Sequence, residues 1–292
     1  MSAPALAIAN QLFLGLSTAA IYVLVSLGLT MIFGMMNVLN FTHGVLYALG
    51  AYFGYLTVKF TGSFWLALAL APAGVAALGV LIERISIRPL AARPHLIQFL
   101  ATYGLALIIE QMIRLVAGNN AYPVDLPAAF AHTVNLGPFE FPAYRVFIVC
   151  AALAVCIGLG VLLAKTQIGA LIRATSEDPE MAALLRVNTR AVSTLVFAGG
   201  SALAALGGVL AAPVFSVHPS MGEEVITTAF LVVTAGGLGS LRGTIVAAII
   251  IGEASSLGLL AVGKYSDVLS ISLMAAVFLV WPTGIFGRAE GR

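Results

Sequence analysis

Residues 12–33, LFLGLSTAAIYVLVSLGLTMIF, run for 22 positions without a charged side chain. As an α-helix that is about 33 Å, enough to cross about 30 Å of hydrocarbon. The run shows no period-two alternation, so it reads as a helix and not as a barrel strand. No Lys or Arg stands among residues 1–11. A cleavable signal peptide needs a positive segment before its apolar stretch, so residues 12–33 are expected to remain as a span.

The rest of the chain repeats this texture. Apolar runs recur at 38–58, 64–82, 96–116, 144–164, 191–212, 225–235, 244–262 and 268–281. The run 225–235 is too short to cross as a straight helix, and it ends in Gly236-Gly237-Leu238-Gly239. The expected fold is all-α: one polytopic transmembrane helix bundle over 1–292, with about eight or nine membrane segments, some broken or re-entrant. Composition agrees, because 61% of the 292 residues are hydrophobic and only 9% are charged. Soluble domains carry about a quarter charged residues, so lipid must cover part of this surface.

Several function classes fall away. A net charge of +2 with no basic cluster excludes nucleic acid as a partner. Cys150 and Cys156 lie about 9 Å apart along one helix, too far for a disulfide. Zinc-type ligand spacing and a GxSxG elbow are both missing. Gly258, Gly263 and Lys264 mimic a phosphate loop, but Tyr265 stands where Ser or Thr must hold magnesium. No catalytic residue, metal or cofactor is therefore expected.

Basic residues orient the chain. Arg84, Arg88 and Arg93 share one loop, Lys165, Arg173, Arg186 and Arg190 another, and Arg288 and Arg292 close the tail. An even number of spans between these groups puts all three in the cytoplasm. The segment 118–142 then faces outward, and it holds no Lys or Arg. The side of the N-terminus depends on whether 38–58 crosses or re-enters.

Polar groups among the apolar runs mark the candidate pathway. Asn37, Asn40, Thr42 and His43 lie between Gly34 and Gly44, which resembles a broken helix opening on a cavity. Gly236, Gly237 and Gly239 form a second break behind Thr234. Glu253 has no local partner, whereas Glu110 and Arg114 are placed to pair. Small residues at Gly50 and Gly54, and at Gly200, Ala204 and Gly208, suit close helix packing, within the chain or at a subunit interface.

The segment 165–190 carries the densest charge. Ser176 is expected to cap a short helix, with Pro179 in its first turn and Glu177, Asp178 and Glu180 at its positive end. Met181, Ala182, Leu184 and Leu185 give it an apolar face, suited to docking a soluble partner.

Residues 28–44, GLTMIFGMMNVLNFTHG, and 82–90, IERISIRPL, resemble branched-chain amino acid ABC-importer permeases of the LivH type. So do Gly169, Arg173-Ala174, Glu177-Asp178, Met181-Ala182 and Val187-Asn188, along with GGLGS at 236–240 and WPTGIFGR at 281–288. The resemblance covers nearly the whole chain. It implies a permease in the inner (plasma) membrane without its own ATPase site. The implied partners are a second homologous permease, two cytoplasmic ATPase subunits and a periplasmic or lipid-anchored substrate-binding protein. The implied substrates are leucine, isoleucine and valine, with urea, short amides or other amino acids in some relatives. Gly169, Arg173, Ala174, Glu177, Asp178, Glu180, Ala182, Leu184 and Asn188 become candidates for contact with the ATPase. Two positions depart from the family pattern: Val45 stands where Glu commonly follows His-Gly, and Arg186 where Gly commonly precedes Ile-Asn.

Two other classes stay in view. A stand-alone secondary transporter needs deep carboxylates, and only Glu110 and Glu253 qualify. An intramembrane enzyme needs a base with a partner, and His43 has none in the sequence.

Overall fold

The computed structural model describes residues 3–91, 93–136 and 139–263, with 271, 272, 276, 277, 279, 281 and 284–287. The helices are α1 Ala3–Met36, α2 Thr42–Thr61, α3 Phe64–Ile82, the short turn α4 Arg88–Leu90, α5 His95–Ala117, α6 Ala143–Lys165, α7 Gln167–Glu177, α8 Pro179–Leu184, α9 Thr189–Phe215, α10 Met221–Gly236 and α11 Leu241–Val262. A hairpin of β1 Thr133–Leu136 and β2 Phe139–Pro142 interrupts the 118–142 segment. Among the described residues, six stretches are long and apolar enough to cross a membrane: Ile8–Met36, Phe64–Leu90, His95–Ala117, Ala143–Lys165, Thr189–Phe215 and Leu241–Ala261. The protein is thus an all-α polytopic membrane protein. Neither α2 nor α10 reaches that standard, and the run 268–281 lies mostly outside the described residues.

The first break is built by two asparagines. Asn37 ends α1 in the left-handed region (φ 50°), where its N–H donates to Phe33 O at 2.8 Å. Asparagine tolerates that conformation better than most residues. Three residues on, the Asn40 side-chain oxygen accepts from the Thr42 amide at 3.1 Å and from the Thr42 hydroxyl. This turn starts α2 at Thr42, so Val38 and Leu39 are not helical although both are apolar.

The start of α2 lies deep in the bundle. His43 Nε2–H donates to Val25 O at 2.9 Å, and its ring lies against Gly28 of α1. Gly28 in turn faces Gly200 of α9. Gly200 is eleven residues into α9, about 16 Å from its start. The link between α1 and α2 therefore climbs back inside the protein, as backbone in a membrane must when it leaves the helix.

The second break mirrors the first. Gly222, at the start of α10, packs on Gly44, so α10 also begins near mid-depth. Phe41 stacks on Phe230 with 4.4 Å between centroids. The two helices hence leave this level in opposite directions. The segment before α10 comes from the hairpin end, where Val217 and Tyr122 exchange backbone hydrogen bonds of 2.8 Å.

At the centre lies α9, packed on α1, α2 and α3. Gly50 faces Ala205, and Gly208 faces the α2 backbone at Tyr47 and Ala51. The small-residue seam is therefore used inside the chain, where α9 meets α2 and, at Gly200, α1. Against this core, α6 turns Leu153, Ile157 and Val161 outward, as a lipid-facing helix does.

Candidate functional site

One end of the bundle gathers Arg84, Arg88, Arg93, Lys165, Arg173, Arg186, Arg190 and Arg242, whereas Lys59, Arg114 and Arg145 lie toward the hairpin end. The basic end opens a cleft of about 1360 Å³. Asn37 from the first break lines it, as do Thr234 and Gly239 from the second. Arg173 and Glu177 of α7 line its opposite wall. Residues from two candidate sets thus share one space. Thr30 joins them, its hydroxyl 2.7 Å from that of Thr244.

The other candidates lie elsewhere. Asn40, Thr42 and His43 are fully buried; Asn40 and Thr42 bond each other within the first break, and His43 bonds Val25 O of α1. Gly236 presses on the backbone of Gly243 and Thr244. Gly237 (φ 100°) and Gly239 (φ 80°) hold conformations that disfavour a side chain. The tail motif reaches this break: Ile285 N–H donates to Ala235 O at 2.7 Å and Phe286 N–H to Gly236 O at 3.1 Å. Those bonds satisfy carbonyls at the end of α10 that no helical turn can reach. Glu253 packs over Gly15 of α1, twelve residues along α11 from the cleft residue Leu241. One of its oxygens is buried without a partner among the described residues. Among those residues no three His, Cys, Asp or Glu converge as a metal site requires.

At the basic end, α7 and α8 fold as a surface platform. Thr166 caps α7 by accepting from Gly169 N–H at 3.0 Å. Gly169 sits on the backbone of Leu162 and Leu163, so any side chain there collides. The cap of α8 is Asp178, which accepts from Met181 N–H at 2.9 Å; Ser176 belongs to α7. Pro179 explains the shift, since it drives the preceding residue out of the helical region. Ala182 turns inward (3% exposed), while Met181 (52%), Leu184 (78%) and Leu185 (72%) turn outward. Ala174 and Glu180 are also exposed. Asn188 caps α9 by accepting from Ala191 N–H at 3.1 Å.

Arg186 closes α8 with φ 63°. Its N–H donates to Ala183 O and that of Val187 to Ala182 O, both at 3.0 Å, the pattern of a Schellman turn. A left-handed non-glycine residue is strained by about 1 kcal/mol. Arg186→Gly should therefore slow amide exchange at positions 186 and 187 by about fivefold, the equivalent of about 1 kcal/mol. Unchanged exchange refutes the strained turn.

Sequence reading missed an ion pair with a buried carboxylate beside this platform. The Arg88 guanidinium donates to both Glu83 oxygens at 3.0 and 2.9 Å, and to the Thr194 hydroxyl at 2.7 Å. Thr194 also donates to Glu83 at 3.0 Å. The pair ties the end of α3 to the first turns of α9. On an ideal α-helix, residues five apart point about 140° away from each other. Here Glu83–Ile87 forms a π turn, with Arg88 N–H bonded to Glu83 O, which brings both onto one face. A carboxylate five residues before an arginine was the available signal.

The family model described as "Branched-chain amino acid transport system / permease component" matches residues 11–278. The chain is 31% identical over 300 residues to the high-affinity branched-chain amino acid transport system permease protein LivH of Escherichia coli (strain K12), covering 96% of each. It is 30% identical over 297 residues to BraD, the corresponding permease protein of Pseudomonas aeruginosa, again over 96% of each. A probable LivH of Methanocaldococcus jannaschii is 28% identical over 91% of this chain and 88% of its own. No solved structure matches. With the matched region running from α1 past α11, this multi-pass membrane protein belongs to the branched-chain amino acid transport system permease family.

Proposed function

We propose that this chain is the permease subunit of a binding-protein-dependent ABC importer. It carries branched-chain or related amino acids across the inner membrane with ATP hydrolysed by separate subunits. The observation that carries this reading is the platform. Met181 and Leu184 of α8 and Leu185 just after it stand exposed, beside a cleft that both α7 and the two helix breaks line. Three outward apolar side chains at a charged protein surface suit a soluble partner. In this reading the basic end is cytoplasmic and the hairpin end meets the binding protein. The spans number eight or nine, with α2 and α10 as the broken segments.

The two breaks form the gate. Asn37, Thr234 and Gly239 line the inner mouth. Asn40, Thr42 and His43 hold the first break in shape, and Gly236 and Gly237 do so for the second. Glu253 acts nearer the outer side. A second permease completes the pathway, and two ATPase subunits dock on Arg173, Ala174, Glu177, Asp178, Glu180, Leu184 and their neighbours. Gly169, Ala182 and Asn188 position that surface from beneath.

Glu180→Ala with Leu184→Ala tests the docking. Losing two interface anchors weakens association by about 2–4 kcal/mol, or about thirtyfold to a thousandfold. Uptake of labelled leucine by vesicles holding the full complex should collapse, and the ATPase should no longer respond to substrate. Uptake at the parental rate by a correctly assembled double variant removes the docking reading. Competition by isoleucine, valine and urea in the same assay ranks the substrates, which matters because Val45 replaces the family's usual Glu.

A further inference from the structure

The exposed face of α10 is polar at a depth where lipid is expected. Glu223 follows Gly222, which packs on Gly44 at the level of His43, Gly28 and Gly200. Glu223, Glu224 and Thr227 are all exposed. On an α-helix, Glu223, Thr227 and Thr234 fall within about 40° of one another, on one stripe that Phe230, stacked on Phe41, shares. Its far end is Thr234, already in the cleft at the basic end. Glu223 also lines a small, mostly apolar recess with Tyr103 and Glu110 of α5, so this face of α10 borders that helix.

A carboxylate near the bilayer centre is strongly unfavourable against hydrocarbon, so lipid does not cover this face. Water alone does not hold lipid away from the side of a helix. A second protein surface must close the space. We propose that the stripe Glu223–Thr227–Thr234 is the water-filled wall of the pathway, and that the partner permease seats opposite it along α5 and α10. The proposal rests on the importer reading and locates the pathway that this reading requires.

Single cysteines in the full complex test it, after Cys150→Ala and Cys156→Ala remove the native thiols. Thr227→Cys reports the stripe. Ile157→Cys, on the outward face of α6 (58% exposed), is the lipid control. A charged, water-soluble maleimide should label position 227 roughly a hundredfold faster than position 157, because its entry into lipid is so unfavourable. A short bifunctional thiol reagent should join position 227 to the second permease, identified by mass. Equal labelling at both positions overturns the aqueous wall. A cross-link from 227 only to another copy of this chain, or none to a permease, overturns the proposed seat. Labelling and cross-linking as expected with ATP-independent uptake leave the face standing and bring down the importer reading instead.

Discussion

Arg88→Met should destabilise the protein by about 3–5 kcal/mol, the loss typical of breaking a buried ion pair from one side. The two partners are not equivalent. The Glu83 side chain is 1% exposed, whereas that of Arg88 is 36% exposed. Removing Arg88 leaves a carboxylate out of reach of water, with Thr194 as its remaining donor. Removing Glu83 frees a guanidinium that water already touches, so Glu83→Leu should cost less, about 1–3 kcal/mol. Replacing both by Met and Leu should come close to the parent, since apolar pairs often substitute for buried ion pairs without loss. The measurement is the half-life at fixed temperature in detergent, because unfolding of such proteins is a rate and not an equilibrium. If Glu83→Leu proves the more damaging change, the burial asymmetry does not govern this site.

Much of the fold was legible because lipid imposes a simple demand. A segment that crosses must be apolar for its whole length, so the run 64–82 and the helix Phe64–Ile82 coincide. The breaks were harder to place. The apolar run 38–58 begins four residues before the helix Thr42–Thr61, since Val38 and Leu39 carry no sign of the asparagine turns around them. The charges at Glu223 and Glu224 made the seventh run begin at Val225, although the helix already starts at Met221. A count of apolar residues treats a carboxylate as the end of a span. The bundle instead starts α10 inside its own depth, against Gly44.

The candidate site was legible in its parts and not in its assembly. Glycines and threonines near 234–239 announced a bend, and the charges near 173–180 announced a surface. Nothing in either stretch says that Thr234 and Glu177 line the same cleft, because that depends on how α1 and α11 hold the two segments together. The Glu83–Arg88 pair was hidden for a related reason. Its spacing is wrong for an α-helix and right only for the π turn that the pair itself accompanies.

Gly208→Val should be the most damaging change in the core, for a reason of backbone and not of side chains. A Cβ at position 208 would collide with the carbonyl oxygen of Tyr47 and stand 2.9 Å from the Ala51 amide nitrogen. Both atoms belong to α2, which has no room to yield. Its start is pinned to α1 through His43 and Val25, and Gly50 meets Ala205 of α9 at equally close range. The helices must therefore separate along their whole contact, and overpacking on this scale exceeds the usual loss of about 1–3 kcal/mol. Gly199 on the same helix is the control. Nothing lies within 4 Å of a Cβ built there. Gly199→Ala should leave stability unchanged or raise it by up to about 1 kcal/mol through helix propensity. Survival of folded protein on size exclusion after heating separates the two. Equal survival of both variants means that α2 and α9 are not in backbone contact. The mid-depth start of α2 would then lose a main support, because its fit against α9 joins its packing on α1, α3 and α10 in holding that broken helix inside the bundle.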